Sequence, residues 1–307
     1  MKKLLLFIFL FAGFKSFASG NVTLTATNGQ VYVTNASIYN NVDTLFIDST
    51  TTYSFVYLKG ITKATGQTLV LCNKSKKRVN LFYDGTSLSL EDCIGVKVIG
   101  ILTDTSKRDG IYASSLTSPR GVGFEAKGYS KRIEFSHVTV FWKAYGFEVK
   151  NEVVCKQSGN GADTALGHWV LDSFIIHDNN LYDIGYFGTG EGMYLGSTAP
   201  NGLDLNRTYP CGTSLVKPVF PEPLPSPLGV FLIYRNRIDS TGRSGIQLSN
   251  ARVGRSKVYD NIITRSGTNF ESNGQGCGLS FGGWTRVSAF HNSIDYTYTM
   301  AIQCFGS

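Results

Sequence analysis

The chain is poor in charge. Asp, Glu, Lys and Arg make up 17% of its 307 residues, against roughly 25% in ordinary globular domains. No Cys-x-x-Cys occurs among its six cysteines, which argues against a structural zinc site. Its four histidines, His137, His168, His177 and His291, lack metal-ligand spacing, so they predict no metal centre. Phosphate-cradling glycine motifs are missing. A helical apolar period is missing too, which disfavours a helical bundle and βαβ units. With 34 Gly against 8 Pro, collagen is excluded. After the first residues, no run is long and apolar enough to span a membrane. What is abundant is Ser, Thr, Asn and Gly around a 42% hydrophobic fraction. That profile predicts an all-β protein with a sizeable core.

The N-terminus reads MKKLLLFIFLFAGFKSFASG. Two lysines precede an apolar run from Leu4 to Phe14, and Ser16 and Ala18 suit a cut after Ala18. Residues 1–18 are therefore expected to be a secretory signal peptide, with a secreted or cell-surface product and no membrane span after cleavage. Their removal takes away Lys2, Lys3 and Lys15, so the formal charge of +7 falls by 3 to +4. The densest basic cluster, Lys74-Ser75-Lys76-Lys77-Arg78, reads as a solvated turn, and no nucleic-acid partner is expected. Export makes disulfides available, and six cysteines allow 15 pairings. The last residues, Met300 to Ser307, read as an uncapped strand, so the solenoid is expected to be truncated at the C-terminus.

Three patterns recur. The first is a Gly followed by alternating apolar residues: Gly110-Ile111-Tyr112-Ala113, Gly146-Phe147-Glu148-Val149, Gly192-Met193-Tyr194-Leu195, Gly245-Ile246-Gln247-Leu248 and Gly278-Leu279-Ser280-Phe281, with Ala301-Ile302-Gln303-Cys304 as a variant. The second is apolar-x-x-Asn-x-apolar around Asn179, Asn236, Asn261 and Asn292, with Ser136 in the equivalent place between Ile133 and Val138. The third is Ile184-Gly185, Thr241-Gly242 and Ser266-Gly267. The Gly strands are spaced by 36, 46, 53, 33 and 23 residues. Constant elements at variable spacing predict a solenoid with loop insertions. An Asn at a fixed turn position predicts a side-chain amide ladder from coil to coil.

On these repeats the chain resembles a right-handed parallel β-helix of the pectin-lyase-like kind, as in exported bacterial proteins. The resemblance covers residues 96–307. Residues 19–95 read as a β-rich lead-in with the first coils. It implies a fold and not an activity, because this fold carries lyases, hydrolases, epimerases and adhesins. Two insertions interrupt the coils, at 151–168 and 196–228, and the second holds seven of the eight prolines. They should leave one corner about one strand spacing (~4.8 Å) apart. A Cys155–Cys211 disulfide would join them; two free thiols is the alternative.

Side chains alternate across a strand. The outward row of the Gly strands would then be Tyr112, Glu148, Tyr194, Gln247, Ser280 and Gln303, and that of the strands before the Asn turn Glu134, His177, Tyr234, Tyr259 and Phe290. Aromatic and hydrogen-bonding rows suit a sugar chain, with Glu148, Gln247, Tyr234 and Tyr259 as substrate-binding residues. The densest polar group is His177, Asp178, Asp183, Glu191, Tyr194, Asp239, Arg243 and Gln247. Paired carboxylates would serve hydrolysis. A uronate lyase would use Tyr194 or His177 as base, and Arg243, Arg235 or a calcium held by Asp183 and Asp239 to neutralise the substrate. Asp183, Asp239, Arg243, Tyr194 and His177 are thus the catalytic candidates. The Asp-Asp pair and Gly-His-Gly of polygalacturonases are absent, and so are calcium-binding nonapeptides. The expected function is binding of an extracellular polysaccharide, with lyase- or hydrolase-like cleavage of it left open. The rival is a non-catalytic, adhesin-like solenoid, for which the polar groups would point to separate turns.

Overall fold

In the computed structural model the described residues are 20–34, 36–101, 108–150, 172–185, 190–196, 209–211, 214–216, 229–251, 254–269, 276–283 and 285–305. The expected leader, the first insertion and most of the second lie outside them. Of the second, an antiparallel ribbon of Tyr209–Cys211 with Ser214–Val216 is described. Cys155 falls outside the described residues, and with it the expected disulfide. Cys72, Cys93 and Cys304 are free thiols.

Three parallel sheets of nine, seven and nine strands form the body. One coil shows the path. Lys131–Ser136 lies in the first sheet, Val138–Phe141 in the second and Tyr145–Lys150 in the third, and Asp172–His177 returns to the first. Every strand then pairs in parallel with its equivalent one coil away. This is the all-β, right-handed parallel β-helix that the repeats predict, wound in the sense that parallel crossovers adopt.

Alternation turns one face of most strands into the core. Phe124, Phe135 and Phe147 meet inside with ring centroids 5.4–5.9 Å apart, and Phe174 stacks on Phe231 at 5.1 Å. Each such ring contributes roughly 1.5–3 kcal/mol of burial.

The Asn ladder forms as the repeat predicts. Asn179 donates its backbone N–H (3.2 Å) and its Nδ2 (3.0 Å) to Asn236 Oδ1. Asn236 does the same to Asn261, and Asn261 to Asn292. Val138 N–H begins the series on Asn179 Oδ1. Each Nδ2 also donates to a carbonyl one coil back: Phe135, Ile176, Ile233 and Val258 in turn. The residue preceding each ladder position is left-handed: His137, Asp178, Arg235, Asp260 and His291, all at φ 53–58°. The bend strains a side-chain-bearing residue, and the buried amide bonds offset that strain.

The Gly repeat has a different cause. A Cβ at Gly146 would lie 2.3 Å from Gly192 O, one at Gly192 2.5 Å from Gly245 O, and one at Gly245 2.8 Å from Gly278 O. Backbones pass too close there for any side chain. The first member of the ladder is Gly123, and the assignment of Gly110 to it is corrected. Ile111–Ser114 belongs to the second sheet, where Tyr112 pairs with Thr139. The third-sheet strand of that coil is Val122–Lys127, which turns Phe124 and Ala126 inward. The outward row of the third sheet is therefore Tyr32, Tyr57, Ser89, Glu125, Glu148, Tyr194, Gln247, Ser280 and Gln303. In the first sheet, Ser136 and not Glu134 aligns with His177, followed by Tyr234, Tyr259 and Phe290.

Candidate active site on the third sheet

The polar residues picked out by the sequence divide among the three sheets. In the first, His177 is held at both ring nitrogens: Nδ1 lies 2.8 Å from Asp178 Oδ2, and Nε2 3.3 Å from Glu134 Oε1. Both ring nitrogens are thus engaged by carboxylates, which leaves neither free to take a proton from a substrate. Asp178 also receives Arg235 Nη2 at 2.6 Å and Arg108 Nη2 at 3.2 Å. Burial works to raise the Glu134 carboxyl, but the His177 hydrogen bond and the Lys97 ammonium outweigh it and bring it down to about 2.

The aromatic row is closed on itself. His177, Tyr234, Tyr259 and Phe290 stack at 4.7, 5.0 and 5.0 Å, with planes within 4–12° of parallel. These spacings match the strand repeat, so each ring face is covered by its neighbour. Tyr234 and Tyr259 offer edges and hydroxyls but no flat platform for a sugar.

The second sheet holds Asp239 and Asp183. Asp239 accepts from Thr264 Oγ1 and Arg265 Nε, both at 2.7 Å, and from Arg265 Nη2. The Arg265 bond leads in holding its carboxyl below the usual range. Both carboxylate oxygens are thus engaged. Asp183 stands in the left-handed region at φ 53°, equivalent to Ser240 and Arg265 in the next coils. Among the described residues, no three His, Cys, Asp or Glu side chains converge as a metal-binding group.

The third sheet brings functional groups together. Tyr145 and Tyr194 stack at 5.7 Å. Lys150 Nζ lies 4.1 Å above the Tyr194 ring and 2.5 Å from Glu148 Oε1. Glu191 lies behind them, only 2% exposed, its carboxyl 3.7 Å from Arg243 Nη1. Arg243 is half-buried, and its Nε is buried with no partner among the described residues. Gln247 follows Tyr194 in the row and is 1% exposed. Beyond it, the buried Ser249 and Ser280 hydroxyls have no partner among the described residues either.

Local sequence explains the placement. Glu191 sits between Gly190 and Gly192, which the backbone crowding requires: a Cβ at Gly190 would meet Ala144 O at 1.8 Å. The chain is therefore pressed against the preceding coil, and Gly146 N–H bonds to Glu191 O. Burial pushes the Glu191 carboxyl up, against the pull of Arg243. Burial likewise raises the Tyr194 phenol; Lys150 opposes this and Glu191 adds to it.

Of the five catalytic candidates, this cluster contains Tyr194 and Arg243, joined by the substrate candidates Glu148 and Gln247. His177 belongs to the first sheet and Asp183 and Asp239 to the second. Sequence reasoning missed Tyr145 and Lys150 and gave Glu191 no role. Lys150 was readable in principle, since it lies two residues past Glu148 and so shares its outward face.

No protein-family model matches this chain, and no curated protein matches it. Among solved structures it is similar to an alginate lyase from Paenibacillus sp. str. FPU-7, at 12% identity and a TM-score of 0.43, over 93% of this chain and 99% of that one.

Proposed function

We propose that this chain is exported, binds an extracellular polysaccharide on its third sheet and cleaves it there. One observation carries the reading. Two stacked tyrosines, two carboxyl groups and two cations converge on one face, beside buried polar atoms without partners among the described residues. A hydroxyl-rich chain needs this mixture of apolar ring surface and hydrogen-bonding groups. Unpartnered buried polar atoms are costly unless something is bound to them.

A second reading, a non-catalytic solenoid, has its own support. His177 and Asp178 are paired at one turn and Asp239 with Arg265 on another sheet, so these polar groups do not converge.

The test is a polysaccharide panel, with and without calcium, scored for binding, new reducing ends and the ultraviolet absorbance of unsaturated uronates. Cleavage by either readout supports the proposal. Binding without cleavage leaves a recognition module, and silence across the panel favours the spacer. N-terminal sequencing of the exported product checks export, with Ser19 expected first.

A further inference from the structure

We infer that Glu191 is a catalytic acid that protonates the leaving glycosidic oxygen, with Glu148 as its ionised counterpart, so that cleavage is hydrolysis and not elimination. The inference rests on the cleavage reading above and names its chemistry.

The two carboxyl groups stand in contrasting surroundings around one tyrosine pair. Glu148 is paired directly with Lys150 at 2.5 Å, which favours the carboxylate. Glu191 is almost wholly buried, and among the described residues the cation nearest it, Arg243 Nη1, stands at 3.7 Å, longer than a normal hydrogen bond. Such a site favours the neutral acid, in agreement with the direction in which its pKa moves. Glu148 is the register partner of Tyr194, and Glu191, whose carbonyl accepts from Gly146 N–H beside Tyr145, precedes Tyr194 by three residues, so both carboxyls border the tyrosine pair. Two carboxyls whose environments drive them apart are the signature of an acid and a base sharing one reaction.

Elimination fits less well. It needs a base to take the proton next to a uronate carboxylate, and positive charge to neutralise that carboxylate. Burial raises the Tyr194 phenol, which disfavours phenolate. Lys150 and Arg243 each already face a carboxyl.

In the proposed step the Glu191 proton passes to the glycosidic oxygen, and the bond from that oxygen to the anomeric carbon breaks, its electron pair leaving with the oxygen. Water then attacks the anomeric carbon directly and yields its proton to Glu148, or attacks a glycosyl-enzyme ester formed by Glu148 and yields its proton to the Glu191 carboxylate as Glu148 leaves. The products are one new reducing end and one new non-reducing hydroxyl end, with no double bond.

The experiment is the same panel with Glu191→Gln and Glu191→Asp. Reducing ends without ultraviolet absorbance are expected. Glu191→Gln should lower kcat about 10²- to 10⁴-fold while KM stays within a few-fold. The alkaline limb of the wild-type kcat/KM profile should vanish in Glu191→Gln and persist, at reduced rate, in Glu191→Asp. A merely structural role for Glu191 would leave that limb in place. If Glu191→Gln does not fold, Glu148→Gln is expected to remove the acid limb instead, and a retained limb overturns the pairing. Unsaturated products, or a Glu191→Gln variant within fivefold of wild type, overturn this inference and leave the cleavage reading standing. Silence across the panel overturns both.

Discussion

Replacing Asn236 with alanine is expected to cost about 3–4 kcal/mol. Asn236 is fully buried, and its side chain takes part in four hydrogen bonds. Oδ1 accepts from Asn179 N and Nδ2, and Nδ2 donates to Ile176 O and Asn261 Oδ1, all at 2.9–3.2 Å. A typical bond is worth about 1 kcal/mol net, and an orphaned buried group costs about 1–3 kcal/mol. Asn179 Nδ2 keeps a second acceptor in Phe135 O, which spares part of the loss. Asn179 N–H keeps none. Urea unfolding of wild type, Asn236→Ala and Asn292→Ala measures the effect. Asn292 lies on the last described rung, half-buried, and its alanine variant should lose about half as much. Asn236→Asp adds a sign test. It keeps the acceptor but loses both donors, and burial raises its folded pKa. The variant should therefore be closest to wild type at acid pH and weaken as pH rises through that pKa. An Asn236→Ala loss below about 1.5 kcal/mol, or one no larger than that of Asn292→Ala, refutes the ladder as a source of stability.

Further outcomes are expected. Gly245→Ala places a Cβ 2.5 Å from Ile263 Cγ2 and 2.8 Å from Gly278 O, and should cost about 2–3 kcal/mol in urea unfolding. Tyr234→Ala removes two ring stacks and should lower stability by about 2 kcal/mol, yet polysaccharide affinity should stay within twofold, since the ring faces are closed. Glu134 contributes stability that is complete above pH 4.5 and lost as pH falls through about 2. Glu134→Gln should then trail wild type by about 1–2 kcal/mol at pH 6, after allowance for solvent screening, and converge with it near pH 2. Tyr296 stands at φ 51° with 79% exposure, so Tyr296→Asn should raise the thermal midpoint, by up to about 1 kcal/mol at Tm.

The solenoid was legible because its constraints recur. An Asn that must meet another Asn, and a Gly that must clear another backbone, leave the same mark in every coil. The registers between marks were less legible. Gly110-Ile111-Tyr112-Ala113 alternates just as a third-sheet strand does, and nothing within those four residues says which sheet receives it. Only the inward Phe124 and Ala126, further along, decide the matter. The site was harder still. Glu191 and Arg243 are 52 positions apart in sequence and meet because the coil between them returns to the same corner. His177 and Glu191 share one coil and lie on different sheets. Counting polar residues along the chain therefore grouped side chains that point away from one another, and it left out Lys150 and Tyr145, which face the cluster.

The asparagine ladder also has a polarity of growth. Each rung turns its oxygen toward the earlier coil and keeps its backbone N–H for the later one. The open side of any rung therefore presents its backbone N–H and one amide N–H, beside a strand carbonyl that awaits the amide of the next coil. A coil added there satisfies all of these only if it carries a side chain with both an acceptor and a donor at that position, so the ladder acts as a template for the sequence of the coil that follows.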